Sequence, residues 1–182
     1  MKRFRLGGAV LILLALFSAC TSIPLSTMWK MRNFDEQQFA ELNGEEIRVR
    51  VRLPAPSKLN VAETSLESTL ETEQGRHSTQ LTLEQESLRS YSVSEGLLFK
   101  EDVTYSEYVL RLSAGSLQRF ATLQRLTPTR SQTQKSAFKI TTDFTNLPEG
   151  LDSLQFSVDL QLKRDEGYFA LLDKASISFK SE

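Results

Sequence analysis

From residue 46 onward the chain alternates apolar and polar side chains with a period of two, the mark of strands with one buried face. Ile47, Val49, Val51 and Leu53 point one way and Glu46, Arg48, Arg50 and Arg52 the other, until Pro54 and Pro56 end the strand. Leu66, Ser68, Leu70 and Thr72 alternate with Glu67, Thr69, Glu71 and Glu73. A turn at Gly75-Arg76-His77 leads to residues 79–86, where Leu81 and Leu83 face inward, and the two segments read as a hairpin. Residues 87–104 show no clear period. Alternation resumes over 105–112, with Tyr108, Leu110 and Leu112 on one face. Three more strands follow. Phe138, Ile140, Thr142 and Phe144 share a face, as do Leu154, Phe156, Val158, Leu160 and Leu162. Residues 168–172 are apolar on both faces, and Ala175, Ile177 and Phe179 then restore the alternation.

Two stretches break this pattern with helical spacing. Residues 34–43 predict a short helix, with Asp35 and Glu36 at its positive end and Asn43-Gly44 at its stop. Leu117, Phe120, Ala121 and Leu123 predict a second over 116–127, capped near Ser116 and closed by Pro128. The fold class expected is therefore mainly β (α+β): an antiparallel sheet or β-sandwich of about seven strands with two short helices. One-sided alternation favours antiparallel pairing over a parallel sheet buried on both faces. A sandwich and one curved sheet with the second helix on its apolar face both fit.

The first residues follow another logic. Lys2, Arg3 and Arg5 precede an uncharged run, LGGAVLILLALFSA, over residues 6–19. A basic start, a short apolar stretch and a small final residue make a secretory signal. The run is shorter than the roughly 20 residues that a membrane-crossing helix needs. It ends Phe17-Ser18-Ala19-Cys20, which resembles the lipobox of bacterial lipoproteins. Phe17 stands where that family prefers Leu, and it keeps the apolar character. The resemblance implies a diacylglycerol on the Cys20 sulfur, cleavage before Cys20 and acylation of the new amino group. Thr21, rather than Asp, after the cysteine implies sorting to the inner leaflet of the outer membrane, facing the periplasm. The stretch from Cys20 to Lys30, with the arginine-rich first strand, also resembles a group of uncharacterised Gram-negative envelope lipoproteins, and this likeness implies no activity.

The expected domains are a signal at 1–19, a lipidated tether at 20–33 and one globular periplasmic domain at 34–182. Met28, Trp29 and Lys30 in the tether suit either packing on the domain or contact with headgroups. The signal takes three of the 22 basic residues and none of the 23 acids, which leaves 19 against 23. A mildly acidic domain has no basic field to attract nucleic acid. Cys20 is the only cysteine, so no intramolecular disulfide forms and stability must come from the core.

Catalytic motifs are sparse. With one histidine, His77, and a lipidated cysteine, no Cys/His metal site can be assembled. There is no Gly-x-Ser-x-Gly elbow, phosphate loop or calcium loop. Glu67, Glu71, Asp143 and Asp159 fall on polar strand faces and read as solvated surface, as His77 reads as a turn residue. No cofactor beyond the covalent lipid and no metal is expected.

Arg48, Arg50 and Arg52 are the most distinctive polar feature. Alternate strand residues lie about 6.6 Å apart on one face. Three guanidinium groups in a row can grip an anionic ligand. The plainer expectation is pairing with Glu67, Glu71 and Glu73 on the next strand, at about 0.2–1 kcal/mol per cross-strand pair. An inward aromatic set (Tyr105, Tyr108, Phe138, Phe144, Phe156, Tyr168, Phe169, Phe179) either fills a core or lines a cavity for acyl chains. The leading expectation is a non-enzymatic, membrane-anchored interaction module with an envelope protein as partner. The alternative is a carrier for lipid or another hydrophobic ligand, and a hydrolase built on paired carboxylates comes third.

Overall fold

A computed structural model describes Thr27 and residues 34–72, 75–96, 100–126 and 135–179. Cys20, the expected signal at 1–19, Met28, Trp29 and Lys30 of the expected tether, and Glu73 lie outside the described residues. Seven strands form one antiparallel sheet: β1 (Arg48–Pro54), β3 (Ser65–Thr72), β4 (Gly75–Glu95), β5 (Glu101–Leu112), β6 (Lys135–Thr141), β8 (Ser153–Gln161) and β9 (Phe169–Ser178). The strand order is β6-β3-β4-β5-β1-β8-β9. A small second sheet joins β2 (Lys58–Leu59) to β7 (Phe144–Thr145). The large sheet curls rather than stacking on another, so of the two expected architectures it is the curved sheet that forms.

Period-two alternation drives this arrangement. Ile47, Val49, Val51 and Leu53 are fully buried, against Leu110 on one neighbour and Leu160 on the other. Leu66, Leu70 and Leu81 continue the inner face across the β3–β4 hairpin. Each such side chain contributes roughly 1.5–3 kcal/mol when removed from water. Gly75, at φ +125°, starts β4 in a conformation that a side chain would strain.

Among the described residues, two α-helices of five or more residues pack against the curl. α1 (Glu36–Ala40) starts at a capping box, in which Asp35 accepts from the Gln38 amide and Gln38 bonds back to the Asp35 amide. α2 (Ala114–Gln124) starts at Ser113, whose hydroxyl accepts from the Ser116 amide. The rings of Phe39 and Phe120 meet edge to face at 5.5 Å and tie the helices together. Gln124 Nε2 donates to the carbonyls of Phe39 and Leu42 at 2.9 Å and satisfies acceptors at the end of α1.

Several expectations change. His77 is not in a turn: it lies within β4, opposite Leu70. The cap of α2 is Ser113, and Ser116 is buried in its first turn. Of residues 87–104, without a period in the sequence, 87–95 continue β4 and 101–104 open β5, which pairs with it antiparallel. The segment Phe138–Phe144 is two elements, β6 and β7. Tyr105 and Tyr168 are not inward: Tyr105 stacks on Tyr91, and Tyr168 lies under Arg50 on the outer face.

Candidate functional site

The arginine row is real, but its neighbours differ from those expected. β1 lies between β5 and β8, so Glu67 and Glu71 on β3 are too many strands away to pair with it. Arg50 faces Val109 and Asp159 across the two ladders, and Arg52 faces Glu107 and Ser157. Asp159, expected as solvated surface, is 3% exposed. Its Oδ2 accepts from Arg50 Nε at 2.8 Å and from Arg52 Nη2 at 2.9 Å. Arg50 also lies 4.0 Å from Glu107, and its guanidinium sits 4.1 Å from the centre of the Tyr168 ring. Burial pushes the Tyr168 hydroxyl above its ordinary pKa, against the opposing pull of Arg50 and Arg48.

Arg48 is engaged differently. Its Nε and Nη2 grip both carboxylate oxygens of Glu86 at 2.7 and 2.8 Å, and its Nη1 donates to the carbonyl of Glu45 at 2.6 Å. Glu86 is the extra residue of a bulge: Gln85 pairs with Leu110 and Ser87 with Val109, which leaves Glu86 unpaired on the ladder. The bulge aims its side chain across β5 at Arg48. That hydrogen bond holds the Glu86 carboxyl below its ordinary pKa. Of the row, Arg52 keeps one unsatisfied donor, its buried Nε. It borders a cleft of about 230 Å³ between Tyr91 and Tyr105 on one side and Gln155 and Lys174 on the other.

The arginine row is therefore an internal ion-pair network on the outer face of the sheet. Asp159 is the one carboxylate among the described residues that is buried, and both of its described ion pairs are with arginine. Among the described residues no cluster of three or more His, Cys, Asp or Glu side chains is placed to hold a metal ion. None of the described helices is long and apolar enough to cross a membrane.

A second site lies on the inner side, where the curl brings the two edge strands to one opening. Phe138 and Ile140 of β6 face Phe156 and Val158 of β8 and Leu171 and Leu172 of β9 across a trough of about 760 Å³. Its volume falls in the range of small-molecule sites, and its lining is predominantly apolar. Thr27 borders the same trough, and its hydroxyl donates to the carbonyl of Ala170 on β9. Phe34 leans on Phe138 at 6.2 Å on the other edge. The individual inward residues were legible as alternation. That β6 and β9 are the two edges was not, because strand order leaves no local signal.

Comparison of the chain with family models, with curated proteins and with solved structures returns no match.

Proposed function

We propose that the protein is a lipid-anchored envelope lipoprotein whose domain holds an acyl-chain ligand in the trough between the sheet edges. The trough carries this reading. It is an open, apolar concavity in a domain whose other inner-face positions are filled by packed side chains. Diacylglycerol on Cys20 would hold the domain at the periplasmic face of the outer membrane. Six residues lie between Cys20 and Thr27 at the trough, a span of at most about 25 Å. An acyl chain leaving the bilayer meets the trough at that distance, and burial contributes about 0.8 kcal/mol per CH₂. No catalytic step is part of this function.

Native mass spectrometry of the full chain, released from detergent, tests it. The expected result is one extra mass equal to a fatty acid or phospholipid. Ile140→Asp, which charges the trough wall, lowers occupancy at least tenfold while the circular dichroism spectrum stays that of a β-protein. A chain that carries no adduct, or an adduct that Ile140→Asp leaves in place, overturns the reading. The second reading, an interaction module for an envelope protein, is favoured by a different observation: β4 runs well beyond β3 and leaves a strand edge unpaired.

A further inference from the structure

β3 pairs with β4 only as far as Thr82, and from Leu83 to Glu95 β4 has, among the described residues, a strand on one side alone, β5. From Leu88 to Ser94 every β4 residue is exposed, although Tyr91, Val93 and Glu95 border the cleft to Gln155 and Lys174 on the outer face. Proteins usually blunt such an edge with proline, lysine, a bulge or a covering element. Residues 87–95 (SLRSYSVSE) contain no proline and no lysine. The bulge lies at the root, and beyond it the register is regular through Glu95. Tyr91 and Val93 are 37% and 39% exposed.

The pattern along this edge is complementary to itself. Arg89, Tyr91, Val93 and Glu95 lie on one face, and Ser90, Ser92 and Ser94 on the other. We propose that the β4 edge pairs antiparallel with the β4 edge of a second copy of this chain, about a two-fold axis at Ser92. This register sets Arg89 opposite Glu95 of the second copy and Tyr91 opposite Val93, and each pair occurs twice. Centring on Tyr91 instead would set Arg89 against Val93, and centring on Val93 would set Tyr91 against Glu95. An odd-numbered register would mix serine with the apolar side chains on both faces. Arg89 makes no ion pair within the chain among the described residues. Glu95 is held on its face by Tyr105 Oη, which donates to its Oε1 at 3.0 Å, and it also lies 4.0 Å from Lys174 Nζ, an exposed pair that leaves its carboxylate open to Arg89 of the second copy. Because the strands run antiparallel, the roots of the two hairpins lie at opposite ends of the joined edge. The axis repeats one patch on both partners, as an isologous interface requires. The proposal does not depend on what fills the trough.

Cysteine cross-linking tests the register. In the full chain in detergent, with Cys20→Ala removing the native thiol, Ser92→Cys faces itself across the axis. Residues opposite each other have Cα atoms about 4.5–5.5 Å apart, within disulfide range. Ser90→Cys faces Ser94 and lies on the order of 13 Å from its own copy, beyond that range. Under mild oxidation Ser92→Cys is expected to dimerise at least tenfold faster than Ser90→Cys, and a mixture of Ser90→Cys with Ser94→Cys to cross-link as heterodimer. Arg89→Glu or Glu95→Arg alone is expected to raise the dimer dissociation constant at least fivefold in sedimentation velocity, and the double swap to restore it. Equal rates at positions 90 and 92, or a dimer indifferent to both charge changes, overturns the proposal. So does a chain that stays monomeric while its edge takes up a foreign strand.

Discussion

Asp159 shows how one side chain sets the character of a surface. A carboxylate at 4% side-chain exposure survives burial because two guanidinium groups share its Oδ2. Asp159→Asn removes the charge and leaves Arg50 and Arg52 partly buried beside a neutral amide. A loss of about 2–4 kcal/mol is expected, read as a lower urea midpoint with an unchanged slope. A variant as stable as the parent would mean that the arginines reach solvent unaided. Glu86 gives a pH dependence whose sign follows from the direction of its shift. Its carboxyl is held below the ordinary value by Arg48, so the folded state binds that proton more weakly than the unfolded chain does. Its contribution is present above the unfolded value, near 4.3, and is lost as pH falls through the folded one. The stability gap between the parent and Glu86→Gln should therefore shrink as urea melts are repeated from about pH 6 down to about pH 3. Asp159 reads as ordinary surface in the sequence, and nothing there singles out Glu86. Their roles come from a β1–β8 pairing more than a hundred residues apart in the chain and from a bulge that no residue type announces.

Among the elements, those whose alternation comes from a core on one side were legible. β1 and β8 stand within a residue or two of where the apolar periods place them, because a solvated face opposite a buried one writes its period into the sequence. The β4–β5 hairpin was not legible, for the converse physical reason. Beyond Leu88 neither face meets a core, so no apolar period is imposed, and the bulge at Glu86 shifts the phase of what precedes it. Its two faces carry serine and threonine on one side and Tyr91, Val93 and Tyr105 on the other. With little burial to hold it, the hairpin should open locally without the body. Amides of 89–95 and 101–106 are expected to exchange with deuterium at least tenfold faster than those of 108–112, whose Tyr108, Leu110 and Leu112 are in the core. Uniform protection along β5 would show that the hairpin is held by something beyond its own ladder, and the β4 edge is the place to look for it.

At the scale of the whole molecule, strand order decides what the side chains can do. The same inward residues would fill a closed core if β6 and β9 lay side by side in the sheet. As its two edges, they leave an apolar opening at one seam, while the overhang of β4 leaves a polar, self-complementary edge at another. The arginine row, on the strand between β5 and β8, is engaged by Asp159 and Glu86.

The position of β1 also governs when the fold can come into being. β1 is the first strand among the described residues, yet its two neighbours in the sheet are β5 and β8, which begin at Glu101 and Ser153. A chain made from its amino end presents Val49, Val51 and Leu53 long before either neighbour exists. At roughly 5–20 residues per second, the about 110 residues that separate β1 from its farther neighbour take on the order of 5–20 s to synthesise. Over that interval the strand is an apolar ribbon with both edges open, and pairing across such sequence distances is intrinsically slow. The nascent chain must then carry its first described strand unpaired until β8 is made, and its late strands are needed to bury its early one.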